Sequence, residues 1–141
     1  MPAKNQKTSK KADYIPAVGR RKTAVARIRL YRKKGPLIVN DQPIEQYFPG
    51  PVNRVLYLEP LRVANLVDKV SATIKVVGGG KSAQLGAVVH GLARALVKLD
   101  EEKYKPLMRK KGFLTRDPRM KERRKPGLAQ KARAEKQSPK R

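Results

Sequence analysis

The sequence predicts one layer of β-sheet covered by helices, a compact α/β or α+β core over roughly residues 14–112 with a basic arm before it (1–13) and a basic tail after it (113–141). Three observations predict it. TAVARIRLY (23–31) and SATIKVV (71–77) alternate apolar and polar residues with period two. SAQLGAVVHGLARALVKL (82–99) instead repeats its apolar residues at spacings of three and four. Charge is also segregated: residues 1–35 hold 12 basic and 1 acidic residue, residues 36–108 hold 9 and 7, and residues 109–141 hold 14 and 3. A nearly neutral middle between two cationic ends describes a core with appendages.

Residues 1–13 are lysine-rich and polar, with nothing to pack, and read as a mobile basic arm. In the first strand Ala24, Ala26, Ile28 and Leu30 form one face, and Arg27 and Arg29 lie on the other. RKKGP supplies a turn, so LIVN (37–40) is expected to return beside that strand as a hairpin. Asp41 and Pro43 stand where a helix start wants a capping acid and an early proline. That helix is short, because Pro49, Gly50 and Pro51 stop it. A further helical stretch from Val52 is interrupted by Pro60, and Val63, Leu66, Val67 and Val70 resume helical spacing, which predicts two helices at an angle. Next comes the strand 71–77, with Ala72, Ile74 and Val76 on one face.

Leu85, Val88, Val89, Leu92, Leu96 and Leu99 define the apolar stripe of the long helix, and many alanines favour it. Asp100, Glu101 and Glu102 open a last helix that Gly112 ends. Beyond it, Pro118, Pro126 and Pro139 exclude a long helix. Extended at ~3.5 Å per residue, the segment after Gly112 could reach on the order of 100 Å, against a core radius of gyration of ~13 Å.

The chain carries 35 Lys and Arg against 11 Asp and Glu, a formal net charge of +24. That density calls for a polyanion, and the expected partner is nucleic acid. There is no cysteine, hence no disulfide framework or thiolate site, and a reducing cytoplasm is the expected location. No apolar run approaches the ~20 residues of a membrane span, and MPAKNQKTSKKADY contains no hydrophobic signal region, so no membrane partner is expected. With one histidine and acids that stand singly or at a helix start, no metal or hydrolytic constellation is expected, no cofactor is implied and the chain is not expected to be an enzyme.

GGGKS (78–82) lies between a strand and a helix, but a Walker loop needs glycine where Lys75 stands. Gly78, Gly80 and Ala83 formally fit a dinucleotide fingerprint with Asp100 near the ribose-binding distance; that acid, however, should end a second strand, and here it follows the helix directly. Two compatible readings remain: a tight strand-to-helix turn, or amide donors at a helix start that, with Lys81, meet an RNA phosphate. His90, Arg94 and Lys98, four residues apart, are expected to form a solvated or RNA-facing stripe. GRRKTAVARI (19–28) joins Arg20, Arg21 and Lys22 to the arginine-lined strand of Arg27, a platform for phosphates. Seven aromatic residues are too few for base stacking to be the main device. Arg109, Lys110, Lys111, Lys131 and Arg133 extend the candidate contacts into the basic tail. The competing classes are a nucleoid-type DNA-binding protein and a phosphate-ligand enzyme built on GGGKS.

In order along the chain, GRRKTAVARIRL, EQYF, VVGGGKSAQLGAVVHGLARAL and GFLTRDPRMKERRKPG resemble the bacterial type of small-subunit ribosomal protein nine, the His90–Gly91 pair pointing to the bacterial branch. The resemblance implies an α+β core, a mixed β-sheet covered by helices like that of the second domain of ribosomal protein five, docked on ribosomal RNA of the subunit head. It implies ribosomal RNA contacts by Arg20, Arg21, Lys22, Arg116, Arg119, Arg123, Arg124 and Lys125, and contact of Lys140 and Arg141 with peptidyl-site transfer RNA. Neighbouring head proteins such as ribosomal proteins ten and fourteen are implied as partners. Two departures stand out: Val89 replaces the usual arginine before the HG pair, and the chain ends QSPKR where QFSKR is common.

Overall fold

In a computed structural model, which describes residues 14–128 and 131–133, five strands form one mixed sheet: β1 (Tyr14–Arg21), β2 (Ala24–Tyr31), β3 (Leu37–Val39), β4 (Gln42–Pro43) and β5 (Ser71–Val77). Four helices accompany it: α1 (Ile44–Tyr47), α2 (Pro51–Val63), α3 (Lys81–Leu99) and α4 (Glu101–Lys111). The strand order is β1-β2-β5-β3-β4, antiparallel except where β3 runs parallel to β5. The alternating residues behave as their period requires. Ala24, Ala26, Ile28, Leu30, Ala72, Ile74 and Val76 are all buried, facing Leu85, Val88, Leu92 and Leu96 of α3.

The hairpin differs from the expected one. β2 is paired on one side with β1 and on the other with β5, so LIVN cannot return beside it; β3 instead joins β5 in parallel, after a crossover through α1 and α2. The unexpected strand is β1, whose YIPAVGRR contains a proline and a glycine. Pro16 is tolerated because its backbone faces the free edge, where its carbonyl accepts from Lys98 and no ladder donor is needed. Gly19 is required: a Cβ there would overlap the Ala87 carbonyl oxygen and the Gly91 nitrogen, so β1 lies against α3 closer than any side chain permits.

Asp41 does not cap α1. Asn40 and Asp41 have φ of 48° and 65°, the two central residues of the tight turn joining β3 to β4, while Pro43 occupies the N-cap of α1. Asn40 fastens this corner by accepting from the Val76 N–H at 2.9 Å and donating to the Val76 carbonyl at 3.0 Å. Nor does Pro60 divide its helix. It lies inside α2, and the Leu56 carbonyl that loses a partner belongs to an exposed residue. After Ala64 the chain turns through Asn65 and Asp68, both at positive φ, so Leu66, Val67 and Val70 pack from a loop rather than from a second helix. α4 ends as expected at Gly112, φ 75°, with the Phe113 N–H bonded to the Met108 carbonyl.

Candidate nucleic-acid interface

One face of the sheet rests on α3, and the opposite face is open. Register places Arg27 of β2 directly opposite Lys75 of β5, with Arg29 opposite Thr73, and all three cations are exposed. Like charges directly across a ladder cost roughly 0.2–1 kcal/mol. A depression of about 400 Å³ on this face is lined by Tyr14, Val18, Arg27, Arg29 and Lys75 and, among the described residues, by no carboxylate. The Arg29 guanidinium lies 5.1 Å from the centre of the Tyr14 ring, which braces the arginine while leaving its donors outward.

Arg94 and Lys98 reach the same depression but serve another purpose. Arg94 donates to the Val18 carbonyl at 2.7 Å and Lys98 to the Pro16 carbonyl at 2.8 Å, while His90 Nδ1 accepts from the Arg20 N–H at 3.2 Å. Four residues of helix advance about 6 Å and two residues of strand about 6.6 Å, so a stripe spaced by four keeps step with alternate residues of β1, at Arg20, Val18 and Pro16. The stripe expected to face solvent or RNA is exposed at Arg94 and Lys98, and it also bonds to the free edge of the sheet. Because Nδ1 accepts, the neutral His90 ring carries its proton on Nε2, which donates to the Leu114 carbonyl at 3.3 Å. Burial pushes the His90 pKa below its ordinary value, and the nearby Arg94 and Arg116 charges act in the same direction.

The stretch after Gly112 folds back over the β1–β2 turn. Arg116 donates to the Lys22 carbonyl at 3.1 Å, holding a turn in which Lys22 adopts φ 51°. Asp117 accepts from Arg119 through both carboxylate oxygens at 2.7–3.0 Å, and Arg21 approaches it at 3.7 Å. The Arg119 guanidinium and backbone N–H hold the Asp117 carboxyl well below the usual carboxylate range. Arg21 lies across Gly86, where any Cβ would overlap its Cδ.

Other expected site residues are scattered around this cluster. Arg20 and Lys22 are exposed beside it. Arg109, Lys110 and Lys111 crowd the exposed last turn of α4, favourably placed at the negative end of its dipole. Arg123, Arg124 and Lys131 are exposed, whereas Lys125 lies 3.7 Å from Glu122 and Arg133 donates to the same carboxylate at 2.8 Å. Lys81, the first residue of α3, places its ammonium 3.2 Å from the centre of the Tyr47 ring and donates to the Tyr47 carbonyl. Its charge is therefore partly committed. The dinucleotide reading fails on topology, since α3 runs into α4 with no intervening strand and Asp100 accepts from the Lys103 N–H as the cap of α4. Lys140 and Arg141 lie outside the described residues.

A model of the family described as ribosomal protein S9/S16 matches residues 19–141, from the end of β1 through the other strands, the helices and the basic stretch that follows them. The chain belongs to the ribosomal protein S9/S16 family. As a member of that family it is a structural, ribosomal-RNA-binding constituent of the small ribosomal subunit, with ribosomal proteins as neighbours. No helix among the described residues is long and apolar enough to cross a membrane. Within this S9/S16 protein, sequence reasoning left out Arg29 and Lys75 of the open face, although their alternation with buried residues marked them as outward. Asp117 was missed as well: its short bonds are to Arg119, but what ties it to the basic cluster is Arg21, 96 positions away.

Proposed function

We propose that this S9/S16-family protein docks on the ribosomal RNA of the small-subunit head through two adjoining basic surfaces, and that its C-terminal tail follows the RNA to peptidyl-site transfer RNA. The observation that carries the first part is the juxtaposition of Arg27 and Lys75 on an exposed face that holds no carboxylate among the described residues. A fold keeps such a pair at a cost in stability when a phosphate lies between the two charges. Arg20, Arg21, Lys22, Arg109, Lys110, Lys111, Arg116, Arg119, Arg123, Arg124, Lys125, Lys131 and Arg133 form the second surface, and Lys81 contributes from the start of α3. The tail beyond it ends in Lys140 and Arg141, the two residues assigned to transfer RNA. Ribosomal proteins ten and fourteen are the proposed head neighbours, and the cytoplasm is the proposed location.

The mechanism is phosphate neutralisation with counterion release. With six to ten phosphates contacted, affinity for head RNA falls by roughly 10³ to 10⁵ between 50 and 200 mM salt. Binding that ignores salt overturns the reading, and equal affinity for duplex DNA in competition favours a nucleoid protein. Deleting residues 139–141 removes no core residue, so the shortened protein is expected to enter small subunits normally while peptidyl-site transfer RNA binds more weakly to them. Unchanged transfer RNA affinity in filter binding overturns the tail assignment.

A further inference from the structure

A second recess lies between α3 and the segment that folds back after α4. Its volume is about 260 Å³, and it is lined by the apolar Leu56, Leu85, Val89 and Phe113, by Arg20 and Arg21, and by the polar Ser82, His90, Thr115 and Asp117, the last neutralised by Arg119. This is below the ~300–1,000 Å³ of sites that take drug-sized ligands, and suits one flat ring system. Arg21 is underused there. Its Nε is shielded from solvent and has no hydrogen-bond partner among the described residues, and its nearest carboxylate, Asp117 at 3.7 Å, is already gripped by Arg119 at shorter range. A guanidinium donor without an acceptor is an expensive arrangement; Nε itself is shielded, but the Arg21 side chain is 32% exposed, so the guanidinium can turn toward a ligand oxygen or ring nitrogen. Gly86 permits it, since only a residue without Cβ lets Arg21 lie flat on the helix.

We infer that this recess holds one unstacked nucleobase of the bound RNA, with the adjoining phosphate on Arg20 and Arg21. Proteins read RNA mainly through bases splayed out of the helix, placed against aromatic rings and guanidinium planes. Phe113 and Arg21 are one of each, on the same recess. An apolar wall opposite two cations selects a ring attached to a phosphate over either alone. Val89 contributes to that apolar wall.

The inference rests on the RNA-binding reading, and the test separates the two. Full-length protein is titrated at low salt with tetraadenylate and with an abasic ribose-phosphate tetramer of equal charge. The expected result is about tenfold tighter binding of tetraadenylate, a preference of ~1.4 kcal/mol. Val89→Trp fills the recess and abolishes the preference while affinity for the abasic tetramer stays; circular dichroism verifies its fold. Should that variant not fold, Arg21→Lys decides, because it keeps the charge and removes the planar donors. Equal affinity of the wild type for both tetramers overturns the nucleobase site and leaves the phosphate-binding reading standing. A preference that survives in the deciding variant also overturns it. Binding of neither tetramer removes the RNA-binding reading itself.

Discussion

Two sets of cations border the same depression on the sheet, and they do opposite things. Arg94 and Lys98 end on carbonyl oxygens of β1, at 2.7 and 2.8 Å, and so complete the edge of the sheet. Arg27 and Lys75 end on each other's repulsion. Both sets are exposed, both belong to a +24 chain, and charge counting cannot tell them apart. What separates them is whether the protein itself supplies an acceptor. A cation with an internal partner contributes to the fold; one placed against another cation is waiting for an external anion.

The sharpest way to break this comparison is to remove the close approach on which the first set depends. Gly19→Ala forces α3 away from β1, because the new methyl would meet backbone atoms of Ala87 and Gly91 that cannot move independently. All three bonds from His90, Arg94 and Lys98 then lengthen. A loss of about 3 kcal/mol is expected in denaturant unfolding. A loss below 1 kcal/mol would mean that the edge is not held by this contact. The second set responds in the other direction. Replacing both Arg27 and Lys75 by Ala relieves the cross-strand repulsion, so stability should hold or rise by a few tenths of a kcal/mol. RNA affinity should nevertheless fall about fiftyfold near 0.1 M salt, with the salt slope reduced by about two. Unchanged affinity and slope would dismiss the open face as an RNA surface.

The same contrast marks what was legible in the sequence. Period two and period 3.6 are local, and they located β2, β5 and α3 together with their buried faces. Strand partners are not local. LIVN has the composition of a return strand, and only the sheet as a whole assigns β2's second edge to β5. β1 escaped notice because Pro16 and Gly19 normally argue against a strand, and each is admitted by something 68 to 82 residues away: Lys98 for the proline, Ala87 and Gly91 for the glycine. The basic cluster at Arg20, Arg21 and Lys22 was visible as composition. That Arg116 and Asp117 fold onto it was not, since no sequence period connects them.

A smaller change tests one member of the edge set alone. Arg94→Met keeps most of the side chain's length and apolar stem but removes the donor to the Val18 carbonyl, at an exposed site where one charged hydrogen bond contributes about 1 kcal/mol. Faster exchange of the amide protons of β1 should accompany that loss. Per deleted charge, RNA affinity should change far less than in the Arg27 and Lys75 double variant, although Arg94 borders the same depression. If Arg94→Met weakens RNA binding as much per charge, the distinction between committed and waiting cations fails.

The smallest effect expected concerns the third member of the edge set, which can be switched by pH. His90 is held neutral: Nδ1 accepts from the Arg20 N–H, and burial lowers the ring's pKa below the unfolded value of 6.5. Neutral His90 therefore stabilises the folded state fully above pH 6.5, and its contribution is lost as pH falls through the lower folded pKa. Protonation sets Nδ1–H against the Arg20 N–H, donor to donor, while Arg94 and Arg116 repel the new charge and only the Leu114 carbonyl still attracts it. The expected consequence is local: as pH falls through the ring's lowered pKa the Arg20 amide loses protection relative to its intrinsic exchange rate, and the end of β1 loosens before the rest of the sheet. Ring NMR titration of this single histidine measures it directly. A midpoint at or above 6.5 would place His90 outside the edge set, as a solvated group whose proximity to Arg20 holds nothing together.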